Sequence, residues 1–317
     1  MTTTLITTPT FARFSQEPWE ILRRAGTTAV RPNETRALPA EELLARVPET
    51  DALIVGLDAI TAEVIEAGPR LRVIAKHGVG VDNIDLFAAR ARGIPVVFAP
   101  GSNSRAVAEL TFGLMIGAAR RIAAAHTAVV SGDWPKFYGP ELAGRTLGIV
   151  GCGRIGRLLA GYAQAFGMTV IGYDPFLEPE ELTARGVRPV GLDECLTGSD
   201  FVSLHLPAEP GRPPLLDRRA LEAMKPGACL VNAARGGLVD EVALADLLHS
   251  GHLGAAALDA FEAEPLPDGS PLRTAPNVLL TPHIGACSHE ANRNMGVMVA
   301  EDVARVLRGE QPHHTAG

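Results

Sequence analysis

The pattern of this 317-residue chain predicts an α/β fold with two doubly wound parallel sheets. Three observations carry that prediction. Short apolar runs alternate with helical patterns from about residue 4 to residue 98, and the alternation resumes from residue 146 to residue 280. Strand, helix and strand in succession give a parallel sheet with helices on both faces. A last helical pattern, about 287–308, remains after the second block has closed. That helix is expected to return to the first block, so residues 1–101 and 286–317 form one domain and residues 102–285 a second domain inserted in it.

In the first block, strands are expected near 4–8, 27–30, 52–56, 72–75 and 95–98, with helices near 17–25, 40–47, 61–67 and 84–92. Leu53-Ile54-Val55 shows why: a short aliphatic run between turn residues suits a buried strand. Pro100-Gly101 punctuates the end of the block. The next stretch, Ser102 to about Val130, reads as one long helix with an apolar body of Leu110, Phe112, Leu114, Met115 and Ile116. It suits an interior helix, and equally a hinge or a pairing element between copies of the chain. The second block opens at Thr146, and its later strands are expected near 200–204, 228–232, 254–258 and 277–280.

Composition excludes several classes. Apolar residues at 46% and charged residues at 21% suit a soluble α/β protein rather than a disordered one. The net charge of −7 argues against sequence-independent nucleic-acid binding, which needs a basic face to displace counterions. An anionic ligand would therefore need locally placed cations. No basic region precedes an apolar stretch at the N-terminus, and no run reaches membrane-spanning length, so a cytoplasmic location is expected. Cys152, Cys195, Cys229 and Cys287 are scattered, with no CxxC pair and no His at metal-ligand spacing. They read as buried thiols in a reducing compartment, and no metal site is expected.

The most informative segment is Thr146-Leu-Gly-Ile-Val-Gly-Cys-Gly-Arg-Ile-Gly156, followed by an apolar run that ends at Tyr173-Asp174. It reads as a strand, a GxGxxG turn, a helix and a second strand closed by an acid, the fingerprint of a dinucleotide-binding Rossmann unit. Gly151 permits the tight turn, Gly153 admits the pyrophosphate to the backbone, and Gly156 lets the helix approach the sheet. The helix from Arg154 and Ile155 aims its unpaired N–H groups at the phosphates. Ile155, Leu158, Leu159, Tyr162, Ala163 and Phe166 recur at helical spacing, and Gly167 is a natural stop. Asp174, eighteen residues after Gly156, would accept hydrogen bonds from the adenosine ribose and repel a 2′-phosphate, which favours NAD over NADP. Asp174-Pro175 is also a good helix start, so a capping role is the alternative.

Three polar residues fall at strand ends in the same block. Arg235, in Val231-Asn-Ala-Ala-Arg-Gly-Gly237, can grip a carboxylate with two parallel hydrogen bonds. Glu264 lies in Asp259-Ala-Phe-Glu-Ala-Glu-Pro265 and His283 in Thr281-Pro-His-Ile-Gly285. A carboxylate beside a histidine favours the imidazolium, which can hand a proton to a carbonyl oxygen while a nicotinamide delivers hydride to carbon. Taken singly, each residue also suits an ordinary role: a solvated turn arginine, a solvated turn acid and a packed Pro-His turn. The neighbouring dinucleotide fingerprint is what lifts them above those roles.

Together these motifs resemble the D-isomer-specific 2-hydroxyacid dehydrogenases, and within them the phosphoglycerate dehydrogenases. The likeness runs from about Leu53 to Arg308 and includes His77-Gly-Val-Gly-Val-Asp-Asn-Ile-Asp85, Gly148 to Gly156, Tyr173-Asp174-Pro175, Asn232 to Asp240, Ala256 to Phe261 and Pro282-His283. The resemblance implies a flavodoxin-like substrate domain with an inserted NAD domain. It implies that Arg235 holds the substrate carboxylate and carbonyl, that His283 is the acid/base, and that Glu264 orients it. It implies further that backbone N–H groups of Gly78, Val79 and Gly80 bind the carboxylate, with Lys76 as a basic residue just before them. Asp259 would meet the nicotinamide carboxamide, and the turn through His205 and Pro207 would line the adenosine. The family's cofactor domains pair through the region corresponding to residues 102–145, so a homodimer is expected.

Three departures stand out. Phosphoglycerate dehydrogenases of this kind carry a basic stretch after the third strand that helps hold the substrate phosphate; here it reads Gly56-Leu-Asp-Ala-Ile60, with an acid and no cation. Pro210-Gly-Arg-Pro-Pro214 replaces a Ser/Thr-rich turn, with Arg212 as an alternative cation or a solvated one. The chain stops after its closing helix, so small-molecule-sensing regulatory domains are not expected. Two functional classes remain: an enzyme that interconverts a small anionic D-2-hydroxy acid and its 2-oxo acid with NAD(H), and an NADH-sensing corepressor-like binding protein. For the enzyme, 3-phosphoglycerate, hydroxypyruvate, glyoxylate and phosphonopyruvate chemistries all stay open.

Overall fold

The computed structural model describes residues 2–32, 38–208 and 211–317, and Pro210 of the replaced turn lies outside them. The chain forms two compact units, residues 1–103 with 286–317, and residues 104–285.

Unit 1 begins β1 Thr2–Ile6, α1 Glu17–Arg24, β2 Thr27–Val30, α2 Ala40–Arg46, β3 Ala52–Val55, α3 Ala62–Glu66, β4 Val73–Lys76, α4 Leu86–Ala91 and β5 Val96–Val97. All strand pairs are parallel and the order is β2-β1-β3-β4-β5, so the chain changes direction across the sheet between β1 and β3. β3 and β4 are buried along their whole length, which explains their unbroken apolar runs. α1 forms because Pro18 sits in its first turn with Glu17 and Glu20, and Arg23 and Arg24 close the last, each charge complementing the helix dipole. Asp85 caps α4 by accepting from Ala88 N at 2.9 Å.

Unit 2 runs α5 Ser104–Ala119, α6 Ile122–Val130, β6 Thr146–Val150, α7 Arg154–Ala165, β7 Thr169–Tyr173, α8 Pro179–Thr183, β8 Arg188–Pro189, α9 Leu192–Gly198, β9 Phe201–Leu204, α10 Arg218–Ala223, β10 Cys229–Asn232, α11 Glu241–His249, β11 Ala255–Leu258 and β12 Val278–Leu280. Its parallel sheet has the order β12-β11-β10-β9-β6-β7-β8, with the reversal between β6 and β9. Both reversals match the two common doubly wound orders, and each marks where such a sheet takes its ligand. The chain then returns to unit 1 with α12 His289–Leu307, capped by Ser288 accepting from Ala291 N at 3.0 Å and packed on α1, β3, β4 and β5. Residues beyond it pair antiparallel with the β5 edge, where Ala316 N donates to Val96 O at 2.8 Å.

Two expectations are corrected and one strand is added. The stretch 102–130 is two helices, broken at Arg121, whose φ of 54° is left-handed and ends the α5 ladder. Cys287 is exposed, while Cys152, Cys195 and Cys229 are buried as expected. β8 was not anticipated: two residues, one of them a proline, carry no periodicity. The core explains why the remaining pattern was readable, since Leu147, Leu159, Leu230 and Leu244 are fully buried and each contributes about 2 kcal/mol by leaving water.

Candidate active site

The turn after β6 has the properties a dinucleotide needs. Gly151 has a φ of 97°, and a Cβ there would lie 2.7 Å from the His205 carbonyl oxygen on the neighbouring strand end. At Gly156 a Cβ would lie 2.3 Å from Gly151 O, so only glycine lets α7 start this close to the strand. Gly153 differs: nothing lies within 4 Å of an added Cβ, and this open backbone precedes the first turn of α7. Arg154 is exposed and Ile155 half-buried at that helix start. The open backbone at Gly153 and the start of α7, above two tightly packed glycines, form a cradle that fits a pyrophosphate.

Asp174, just past β7, reaches the same turn. Its Oδ2 accepts from Cys152 N at 2.8 Å and its Oδ1 from Phe176 N at 2.9 Å. It caps no helix, because α8 begins at Pro179 behind Glu178. A carboxylate has four lone-pair sites, so acceptor capacity for ribose hydroxyls remains. Cys152 is held away from redox chemistry: burial, and then Asp174, push its thiol up to about 12. On the β9 side, His205 Nε2 shares a hydrogen bond with Ser203 Oγ at 2.9 Å, and its Nδ1 is buried with no partner among the described residues. Burial holds this imidazole down to about 4, so it is neutral near pH 7. Pro207 is exposed two residues on, and Arg212 is exposed as well.

The three loops after β10, β11 and β12 are built against one another. Asn232 ends β10 and shapes the next turn, its Nδ2 donating to Arg235 O at 2.8 Å and its Oδ1 accepting from Ala234 N at 3.1 Å. Arg235 follows in extended conformation, half-buried, with Nη1 donating to Ala234 O at 2.8 Å. A Cβ on Gly236 would sit 1.8 Å from the Phe261 carbonyl carbon, so the Arg235 turn is pressed on the backbone after β11. That second loop carries Glu264, whose Oε1 accepts from Phe261 N at 3.0 Å. Both Glu264 oxygens lie within 2.9 Å of His283 Nδ1, with the two side chains 32% and 40% exposed. His283 therefore keeps its other ring nitrogen, Nε2, for chemistry.

His283 is itself in a left-handed conformation, φ 53°, unusual for a residue with a Cβ. Asp259 is what holds it there. This carboxylate is 1% exposed; Oδ1 accepts from Thr281 Oγ1 at 2.6 Å and Ile284 N at 2.8 Å, and Oδ2 from Gly285 N at 2.7 Å. Its visible work is thus to fix the turn that carries His283. Asn232 and Thr281 were given no role in the sequence; a polar residue at the last position of an apolar strand was the signal that could have found Asn232.

In unit 1, Gly78, Val79 and Gly80 follow β4 and are half-buried. Gly78 N donates to Lys76 O at 2.8 Å, so that amide is already engaged. Lys76 is 6% exposed, its ammonium donating to Gly56 O and Asn83 Oδ1, both at 2.6 Å.

Comparison with known proteins adds independent findings. Residues 112–285 match the NAD binding domain of the D-isomer specific 2-hydroxyacid dehydrogenases. The chain is 47% identical over 272 residues to D-3-phosphoglycerate dehydrogenase of Mycobacterium leprae, covering 85% of this chain and 51% of that protein. It thus spans about half the length of that relative. It is 43% identical over 275 residues to hydroxypyruvate reductase of Thermotoga maritima, covering 85% of this chain and 89% of the relative. A crystal structure of a Thermus thermophilus protein superposes with a TM-score of 0.90 at 39% identity, covering 99% of this chain and all of the other.

Proposed function

This chain belongs to the D-isomer-specific 2-hydroxyacid dehydrogenases, and from that premise we propose that it moves hydride between NAD(H) and a small anionic D-2-hydroxy acid/2-oxo acid pair. Gly151, Gly153, Arg154, Ile155 and Gly156 hold the pyrophosphate, and Asp174 the adenosine ribose. His205 and Pro207 line the adenosine side. The bound nicotinamide supplies or takes the hydride. The protein's own part is to grip, orient and move one proton: Arg235 binds the carboxylate and polarises the carbonyl, and His283 Nε2 donates to the carbonyl oxygen in reduction and recovers that proton in oxidation. Glu264 on Nδ1 fixes the tautomer and balances the imidazolium charge. Asp259 holds the turn that carries His283, and its Oδ2, with one donor, has capacity left for the nicotinamide carboxamide. The N–H groups of Val79 and Gly80 are the substrate-binding groups in unit 1, and Gly78, its own amide on Lys76 O, shapes the turn that presents them. Lys76, tied to Gly56 and Asn83, supports that loop from within.

The observation that carries this reading is the hydrogen bond that His283 Nδ1 donates to the two Glu264 oxygens, on a loop set pressed against Arg235. NADH oxidation with glyoxylate, hydroxypyruvate, pyruvate and 3-phosphohydroxypyruvate tests it. Turnover with at least one is expected; NADH binding with no turnover on any would favour the corepressor-like class. We propose also that two copies pair through residues 102–145, because α6 buries none of its side chains and Ile122, Val130, Trp134 and Tyr138 are 53–84% exposed. A monomer in sedimentation at micromolar concentration would reject that. No helix among the described residues is long and apolar enough to cross a membrane, and the buried thiols of Cys152, Cys195 and Cys229 suit a reducing cytoplasm.

A further inference from the structure

The unit 1 sheet reverses between β1 and β3, so the loops after those two strands form its ligand crevice by the general rule for doubly wound sheets. They place Thr7 on Asp58 and Thr8 against Gly56, where an added Cβ would lie 2.8 Å from Thr8 Oγ1. Asp58 is only 9% exposed. Its Oδ2 accepts from Thr7 Oγ1 at 2.6 Å and from Gly56 N at 3.1 Å. Its Oδ1 is buried and has no partner among the described residues.

A buried carboxylate oxygen without a donor is costly, and sites built this way select a ligand that brings one. Leu57, beside it, is 79% exposed and offers only apolar contact. Lys76 has its ammonium turned to Gly56 O and Asn83 Oδ1. Arg13, on the loop after β1, is exposed and lies over the Phe14 ring, 5.7 Å from its centroid.

We propose that Asp58 is a specificity-determining residue: it receives a hydrogen bond from an uncharged donor, a hydroxyl, at the end of the 2-oxo acid away from the carboxylate, and it repels a phosphate there. The inference rests on the dehydrogenase reading above. A phosphate brings close to two negative charges and only acceptor oxygens to a position that already holds an anionic acceptor. A hydroxyl satisfies Oδ1 and adds no charge.

The test is a ratio. kcat/KM with NADH is measured for hydroxypyruvate and for 3-phosphohydroxypyruvate, which differ only in the ester, with glyoxylate as a substrate that has no distal group. The hydroxyl compound should be preferred by about 100-fold or more. Asp58→Asn, which keeps an acceptor for Thr7 and removes the charge, should shift that ratio toward the phosphate ester by about tenfold. Asp58→Ser serves if the amide variant does not fold, and the same direction of shift is expected. Preference for the phosphate ester in the parent protein, or a ratio unmoved in a folded variant, overturns the proposal. Failure of the dehydrogenase reading is separate, because then glyoxylate too leaves NADH unoxidised.

Discussion

At Gly236 in unit 2, an added methyl group would lie 1.8 Å from a carbonyl carbon, whereas at Gly78 in unit 1 it would meet only the Lys76 side chain, at 3.1 Å. The same contrast runs through both strand-end loop sets. In unit 2 the turns at Gly151, Gly156 and Gly236 are fixed by backbone pressed on backbone, and the buried acid Asp259 accepts from two loop amides and a threonine. In unit 1 the corresponding loops are held by side chains: Thr7 to Asp58, Thr8 to Thr10, Lys76 to Asn83. A backbone-locked loop tolerates almost no change and suits a ligand that stays the same. A loop held by side chains can be retuned one residue at a time, which suits a substrate end that varies between relatives.

Breaking the lock should give the largest effect. Gly236→Ala cannot be relieved by a rotamer, so it should displace the Arg235 turn, destabilise unit 2 by several kcal/mol and abolish turnover. Gly78→Ala, against a flexible lysine, should cost about 1 kcal/mol or less. Equal loss of melting temperature in the two variants would remove the contrast. Next in size, Arg235→Ala should lower kcat/KM about 1000-fold by taking away a charge-assisted grip, while NADH affinity measured by fluorescence stays put. A change confined to NADH affinity would move Arg235 out of the substrate site.

The same contrast explains what could be read from the chain. Glycines forced by backbone contact are visible as letters, so the turn holding Gly151 and Gly156 is legible in the sequence, whereas Gly236 passes as a neighbour of Arg235. His283 and Glu264 stood out as polar residues at the ends of apolar runs, although their hydrogen bond depends on three loops meeting. In the sequence Asp58 reads only as a missing cation; its bond to Thr7 joins residues 51 apart, and nothing local encodes it. Arg121 illustrates the other limit. Its left-handed backbone splits one helical pattern in two, with no glycine or proline to announce the break.

Each unit also encloses one neutral histidine, and acid should expose both. Burial holds His77 and His205 down to about 4, against 6.5 for an unperturbed imidazole. Between those values the unfolded chain binds protons that the folded chain refuses, so stability falls as pH drops from 6.5 toward 4, by on the order of 3 kcal/mol for each at the lower end. Urea melts of His77→Gln and His205→Gln should show a flatter acid limb than the parent protein. If the acid loss is as steep in both variants as in the parent, these imidazoles are not its source.

The smallest effects should come from the exposed rim of the dinucleotide cradle, where neither kind of lock operates. Gly153→Ala meets no atom within 4 Å, so its melting temperature should match the parent's, yet the new methyl group stands where the pyrophosphate must approach. NADH affinity should fall about tenfold with the fold intact. Asp174→Ala removes two acceptor oxygens from the same turn, and should weaken NADH by a similar factor while leaving NADPH nearly unchanged, because the lost ribose bonds are offset there by lost repulsion. An NAD to NADP preference that does not narrow would mean that Asp174 serves only the amides of Cys152 and Phe176.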